Sequence, residues 1–454
     1  MILTTSPEIS KIRRFATLIL ILVTLALTVA RADALTLIRD AEIESTLEKI
    51  TAPVIRAAGL SPLTVKIYII QDDSMNAFVA GGQNIFLHTG LLMRVRTVDQ
   101  LRAVVAHEVG HIAGGHLTRR DSALGGLRGV AAIGMAGSMA AILSGNPEAG
   151  MAIAAGTNNV AQRTALAHSR AEEASADQAG LRYLAIAGGD PSAFLEVLDI
   201  FRGQNFQRTL GLDPYAQTHP LSTERLALMK ERIEQLPKGK PLDPQLAYWH
   251  GRMVVKLKGF LQTPRRTLDQ YPDNGEETNL LARAVAWHRF PNVEQTRTTL
   301  EALLEIRPND PYYNEMKGQF LLETGQATAA AEAYHVALDF APREPLVLAG
   351  LGRALLNQNT PEATREAREV LAQSVRYDRA NAGALRDLAM AEGRLGNDGA
   401  AALATAERFL LAGKYPDAIR NAARASDLLP MGSPGWRRAE DLMDMLRRRP
   451  ARNR

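Results

Sequence analysis

The 454-residue sequence predicts a mainly helical α+β protein, in which a first half with a small sheet precedes an all-α solenoid of helical hairpins. Two strand-like runs lie in the first half and none in the second. The second half instead repeats a turn motif with a period near 35 residues, which is typical of stacked helix–turn–helix units. With 46% hydrophobic and 22% charged residues, the chain has the composition of a folded protein, which excludes disorder as its main state.

Residues 1–34 have the three parts of a secretory signal. A basic stretch with Lys11, Arg13 and Arg14 precedes an uncharged apolar run, and small residues around Ala32 allow cleavage after Ala34. An uncleaved membrane anchor is the alternative, but the apolar run is shorter than the ~20 residues of a spanning helix. We expect a cleaved signal and export to a bacterial periplasm.

The charge and the cysteine content of the chain exclude several classes of function. Of 53 basic and 49 acidic residues, four and two lie within 1–34, so the mature part has 49 against 47 and a net charge of +2. That balance gives nucleic-acid binding no electrostatic support. Because the chain has no cysteine, a disulfide, a thiolate metal site and a cysteine nucleophile are excluded. Any metal must be bound by histidine and carboxylate side chains.

A Pro/Gly/Lys stretch at residues 237–241 predicts a linker between two domains, 35–236 and 242–454. In the first domain, alternation over residues 64–70 and an apolar run over 84–88 predict two strands among helices.

The second domain contains turn motifs that begin at Tyr271, Arg307, Ala341 and Tyr377, at spacings of 36, 34 and 36 residues. Each unit is predicted to be a helical hairpin that buries its apolar face only against its neighbours. The pattern resembles tetratricopeptide repeats over residues 242–440, with a concave groove that suits an extended or helical segment of a partner. An unrepeated helical bundle is the alternative.

The sequence His-Glu-Val-Gly-His at residues 107–111 is the candidate catalytic motif. Apolar residues at helical spacing run through this segment, and two glycines at 114–115 supply a helix end. On a helix, His107 and His111 lie one turn apart and point at a single metal ion. Glu108, about 100° round the helix, can reach a water on that ion without being a ligand. The motif therefore predicts a metalloprotease.

A catalytic zinc site needs a third protein ligand and leaves a fourth position open for water. Glu173 is the candidate, on an Ala-rich helix that is predicted to end at residues 188–189. Asp177, one turn later, faces the same way and can accept the free N–H of a ligating imidazole. Glu172 is the rival, but one turn after it stands Ala176, which can orient nothing. A charged run on an exposed helix is the remaining alternative.

The motif at 107–111, Glu173, Asp177, the stretch 76–86 and the Thr-His-Pro sequence at 218–220 together resemble the HtpX-like metallopeptidases of the gluzincin type. The resemblance implies a zincin-type domain with one zinc ion per chain on His107, His111 and Glu173. It also implies that Glu108 is the catalytic residue, which takes a proton from the water and passes it to the leaving amine.

A substrate strand needs an edge strand to pair with, and we expect the segment that contains Asn76, Ala77, Phe78 and Phe86 to provide it. A plain hairpin with its turn at residues 81–82 is the alternative, and both can hold at once.

Two more histidines lie near these motifs. His116 follows the glycine pair and is expected to point off the helix face, so we do not expect it to bind the metal. His219 precedes Pro220 and lies in an extended loop. In repeat-bearing proteins of the resembling family, the matching histidine can cap the zinc in a resting state. The alternative is a loop residue that only lines the cleft.

Residues 124–155 are rich in Ala, Gly, Ile and Met, with only Arg128 and Glu148 charged. We expect a lid near the active site that touches a membrane surface; a buried hairpin is the alternative.

The order of signal, protease and repeats implies, by the same resemblance, a role in outer-membrane β-barrel assembly. One reading is a zinc endopeptidase that degrades unfolded or misassembled outer-membrane proteins, with its repeats docked on the assembly machinery. The other is a chaperone or adaptor that acts through its repeats while the zinc site is latched or idle. The complete metal motif favours the endopeptidase.

Overall fold

The computed structural model describes residues 36–116, 170–205, 219 and 222–448, without the side chains of 202–205. The signal predicted over 1–34 and the apolar segment 124–155 lie outside the described residues. No helix within those residues is both long and apolar enough to cross a membrane.

Within these described ranges, four strands form one sheet: β1 (Leu37–Ile38), β2 (Lys66–Ile70), β3 (Ala77–Ala80) and β4 (Asn84–His88). Their order is β1-β2-β4-β3, with β4 parallel to β2 and antiparallel to β3. Gly81 and Gly82 make the β3–β4 turn at φ of +57° and +95°, values that favour glycine. The hairpin considered as an alternative is therefore present, and β3 is at the edge of the sheet.

Phe86 corrects the predicted edge strand. It lies in β4, between β2 and β3, so its backbone is already paired on both sides. Its ring stacks on Phe78 at 5.1 Å and on Tyr68 at 5.3 Å. Among the described residues, the edge of the sheet on this side consists of residues 77–80.

Six helices of the described chain accompany the sheet. They are α1 (Ala41–Ala57), α2 (Thr89–Leu92), α3 (Val98–Ala113), α4 (residues 170–186), α5 (Ala193–Asn205) and α6 (Thr223–Glu234). Helix α3 begins where Thr97 accepts a hydrogen bond from the Gln100 amide, and it ends at the predicted glycine, Gly114. Leu101, Val105 and Val109 of α3 are fully buried in the core, which fixes the direction of the motif that α3 carries.

Helices α3 and α4 approach each other backbone to backbone. A Cβ atom on Gly110 of α3 would stand 2.8 Å from the carbonyl oxygen of Ala176. A Cβ atom on Gly180 of α4 would stand 3.0 Å from the backbone of Ala106. Only glycine allows this close crossing, which brings the two motif-bearing helices together.

The remainder of the described chain is helical. It comprises α7 (Pro244–Leu261), α8 (Pro264–Gln270), α9 (Glu277–Arg289), α10 (Val293–Ile306), α11 (Pro311–Glu323), α12 (Ala327–Phe340), α13 (Pro345–Asn357), α14 (Pro361–Tyr377), α15 (Ala382–Arg394), α16 (Asp398–Leu411), α17 (Tyr415–Leu428) and α18 (Pro434–Arg447). From α9 onward, successive helices pair as hairpins, which confirms the predicted solenoid. The turn motifs at Tyr271, Arg307, Ala341 and Tyr377 all lie at helix ends, between one unit and the next.

Residues on the two sides of the predicted linker, 237–241, pack against each other. The chain from Ile38 onward forms one compact unit. Met253 and Leu257 of α7 lie in the same apolar core as α1 and α3. Two buried cations of α7 pair with the start of α1: Arg252 Nε lies 2.6 Å from a Glu42 oxygen, and Lys256 Nζ 2.9 Å from Asp40. The boundaries 35–236, 237–241 and 242–454 stay a prediction.

Candidate metal centre

Four side chains from three parts of the chain meet in one buried cluster. His107 and His111 come from α3, Glu173 comes from α4, and His219 lies shortly before α6. One ligand atom from each lies within 4.8 Å of all the others. None of the four residues is more than 5% exposed.

The distances within the cluster fit a single metal ion. His107 Nε2 lies 3.1 Å from His111 Nε2 and 3.2 Å from His219 Nδ1. The two oxygens of Glu173 lie 3.3 Å from the same two Nε2 atoms, and 3.0 and 3.1 Å from His219 Nδ1. Four ligands placed tetrahedrally at the usual zinc distances would be about 3.3 Å apart. Nitrogen and oxygen donors of these types are zinc ligands.

Outer contacts hold the two imidazoles of α3. His107 Nδ1 lies 3.0 Å from Asp177 Oδ1, the orientation that the one-turn spacing on α4 predicts. His111 Nδ1 lies 2.9 Å from Nδ1 of His116, which is 2% exposed. His116 is outside the four-residue cluster, but it lies against a member of it rather than pointing away. These contacts leave both Nε2 atoms facing the centre.

Arg225, in the first turn of α6, completes the site and was missed by sequence reasoning. Its Nε and Nη2 donate to the two oxygens of Asp177 at 2.7 and 2.9 Å, and Nη1 lies 3.2 Å from Glu173 Oε2. Glu108, Glu173 and Asp177 place three carboxylates in this buried volume, against one guanidinium. A divalent cation would balance the remaining charge, and buried charges need such compensation.

The acid–base properties of the cluster favour bound positive charge. Burial opposes ionisation of Glu173, but hydrogen bonds from His107, His111 and His219 outweigh it and hold its pKa far below the usual range. Burial also opposes a charge on His107, but Asp177 and Glu173 outweigh it and raise the pKa of His107 to about 10. Both shifts have the direction expected where carboxylates surround a positive charge, whereas burial lowers the pKa of His111.

Glu108 is buried beside the cluster without being a member of it. Its side chain is fully buried, and neither carboxylate oxygen has a hydrogen-bond partner among the described residues. His219 lies against it, with Nε2 3.5 Å from Glu108 Oε1. A buried carboxylate without a hydrogen bond is costly, and such a group beside a metal site can receive a proton from a water there.

His219 joins the cluster to the sheet edge. While Nδ1 faces the other three members, Nε2 lies 3.3 Å from the carbonyl oxygen of Ala77 in β3. Asn76, just before β3, accepts a backbone hydrogen bond from His88 through its own carbonyl. The structure therefore places His219 within the cluster and at the edge strand, whereas the sequence left a choice between a cap and a cleft-lining residue.

The fold and the site define a metalloprotease whose metal-site region is followed in the sequence by a helical repeat solenoid. Residues 38–233 match Peptidase family M48. The chain is 27% identical to the beta-barrel assembly-enhancing protease of Escherichia coli (strain K12) over 394 residues, which cover 84% of this chain and 78% of that protein. It is 29% identical to the mitochondrial metalloendopeptidase OMA1 of Schizosaccharomyces pombe over 192 residues, or 42% of this chain and 52% of that one. The resemblance to a metallopeptidase with C-terminal repeats is thereby confirmed.

Proposed function

We propose that the protein is a zinc-dependent endopeptidase that acts in the quality control and assembly of outer-membrane β-barrel proteins. The observation that carries the peptidase assignment is a four-residue donor cluster beside the buried Glu108, whose carboxylate oxygens accept no hydrogen bond from any described residue. His107, His111 and Glu173 would hold one zinc ion per chain.

When bound, zinc would lower the pKa of a water molecule and polarise the scissile carbonyl. Glu108 would take the proton of that water and deliver it to the leaving nitrogen. Its carboxylate oxygens suit this task, because neither has a hydrogen bond with a described residue that would have to break first. Asp177 and His116 would keep the imidazoles of His107 and His111 turned toward the centre.

The substrate would lie as an extended strand along β3. Residues 77–80 are at the edge of the sheet, so they can pair with an added strand through backbone groups. His219 contacts both the Ala77 carbonyl and Glu108, so a strand paired with β3 at Ala77 would lie beside Glu108. Asn76 and Phe78 flank Ala77 and would shape the same subsite.

His219 would hold the resting site closed. Its imidazole occupies the fourth corner of the cluster and, at the same time, meets the Ala77 carbonyl that a substrate strand would use. Both water and substrate would therefore require His219 to move. This double contact also supports the second candidate function, a chaperone or adaptor that works mainly through the repeats while the metal site stays latched.

The cellular role would follow the relatives that are named for β-barrel assembly. Residues 1–34 would direct export to the periplasm. The repeats within 242–454 would dock the protein on the outer-membrane assembly machinery, and 124–155 would touch a membrane surface. The substrates would be unfolded or misassembled outer-membrane proteins, and no nucleic acid is expected as a partner.

The test is Glu108→Gln, which removes the base and keeps the shape. The purified variant should retain one zinc per chain by metal analysis and lose cleavage of an unfolded outer-membrane protein. Replacing both His107 and Glu173 by alanine should remove the zinc as well. If the Glu108→Gln variant supports β-barrel assembly in cells as well as the parent does, the chaperone function is the correct one. Undiminished zinc in the double variant would overturn the metal assignment.

A further inference from the structure

Arg225 is a buried cation beside the metal centre. Its side chain is only 5% exposed, although arginine is usually a surface residue. It lies in the first turn of helix α6, whose N-cap Ser222 accepts a hydrogen bond from the Arg225 amide. From there the guanidinium reaches back to α4, where it meets Asp177 and Glu173.

The guanidinium makes three contacts with two carboxylates. The fork of Nε and Nη2 holds both oxygens of Asp177, so that carboxylate can neither rotate nor turn toward solvent. One of those oxygens is the partner of His107 Nδ1. Nη1 lies beside Glu173 Oε2, which faces His107 and His219. Arg225 thus acts on His107 through Asp177 and on Glu173 directly.

We propose that Arg225 is a positioning residue of the metal centre, which increases metal retention by fixing the orientation of Asp177 and Glu173. The proposal rests on the proposed metal site, but it assigns a role to a residue outside the ligand set. Two physical effects oppose each other here. A guanidinium repels a dication, which weakens binding, whereas orienting the carboxylates strengthens it. Because the three contacts are short and buried, orientation is the larger effect.

The experiment compares variants of the full protein for zinc transfer to a chromogenic chelator. Arg225→Met should raise the zinc dissociation constant about 10–100-fold, the usual effect of losing an outer partner of a metal ligand. Arg225→Lys should fall between this variant and the parent, since one ammonium cannot span both carboxylates. The visible spectrum of the cobalt-substituted protein should change in Arg225→Met. Added guanidinium should restore zinc retention to Arg225→Ala.

A matched control is Arg102→Met. Arg102 is also buried, on α3, but its guanidinium binds the Ile50 carbonyl and Asp99 rather than the cluster. Its loss should lower thermal stability and leave the zinc dissociation constant and the cobalt spectrum unchanged. Equal losses of zinc in both variants would reduce the role of Arg225 to general stability and overturn the proposal.

Tighter or unchanged zinc binding in Arg225→Met would also overturn it, because repulsion would then be the larger effect. If Arg225→Met does not fold, Arg225→Lys decides: parent-like zinc retention there contradicts the proposal. A parent protein that binds no zinc would instead refute the proposed function, so the two failures are distinguishable.

Discussion

Gly110, the fourth residue of the metal-binding motif, offers a test of how the fold builds the site. In Gly110→Ala, the new Cβ would meet the Ala176 carbonyl oxygen at 2.8 Å and the Ala176 Cα at 3.0 Å. Both are backbone atoms, so relief requires α3 and α4 to separate. Overpacking of this kind costs about 1–3 kcal/mol. Alanine also gains about 1 kcal/mol over glycine within a helix, which offsets part of the loss.

A matched variant isolates the clash. Gly251 lies within α7, and a Cβ there would meet nothing within 4 Å, so Gly251→Ala gains helix propensity alone. Gly251→Ala should raise the melting temperature and Gly110→Ala should lower it, as measured by circular dichroism on zinc-loaded protein. Gly110→Ala should also release zinc to a chelator faster, because His107 and Glu173 lie on the two helices that move apart. If Gly110→Ala is as stable as Gly251→Ala and keeps its zinc, the close crossing does not set the site geometry.

Two further predictions concern the latch and the interface with the repeats. His219→Ala should raise basal hydrolysis of an unfolded protein, including self-cleavage, while alanine at the exposed His335 should not; slower hydrolysis would contradict the latch. Burial raises the pKa of Glu344 to about 7, and the nearby Glu44 and Glu48 add to the rise. The contribution of Glu344 to folding stability is therefore present below the ordinary pKa of a glutamate and is lost as the pH rises through 7. Melting temperatures at pH 5 and pH 8 should therefore differ less in Glu344→Gln than in the parent, and an equal difference would contradict this assignment.

The relative orientation of site residues on one helix could be predicted from the sequence, because their spacing fixes the direction in which each side chain points. His107 and His111 are four residues apart, as are Glu173 and Asp177, and each pair faces one way in the structure. The turn motifs of the repeats could be predicted equally well, because a fixed period is recognised without knowledge of contacts between distant segments.

Contacts between segments that are far apart in the sequence could not be predicted from it. Arg225 lies 48 residues after Asp177, and no local pattern separates it from the exposed arginines of the chain. His116 was expected to point away, but Gly115 adopts φ of +63° and the chain turns there. The ring of His116 then packs on Gly114 and reaches His111.

The predicted linker shows the same limit. Arg252 and Lys256 read as surface charges of a repeat helix, yet their side chains are only 2% exposed. Their carboxylate partners, Glu42 and Asp40, lie more than 200 residues earlier in the chain. A composition shift can suggest a boundary, but it gives no information about the packing of surfaces on its two sides.

Helix α1 connects the repeats to the metal centre. On one side it contacts α7 and α13, and on the other it packs on α3, where Arg102 donates to the Ile50 carbonyl at 3.0 Å. A partner bound to the repeats therefore has a continuous packed route to the helix that carries His107. The route alone does not open the site. Changing a latched population from 99% to 1% requires a partner that binds the open state more tightly by about 5.5 kcal/mol. A partner with equal affinity for both states would dock without releasing His219, and the protein would then act as an adaptor rather than a protease.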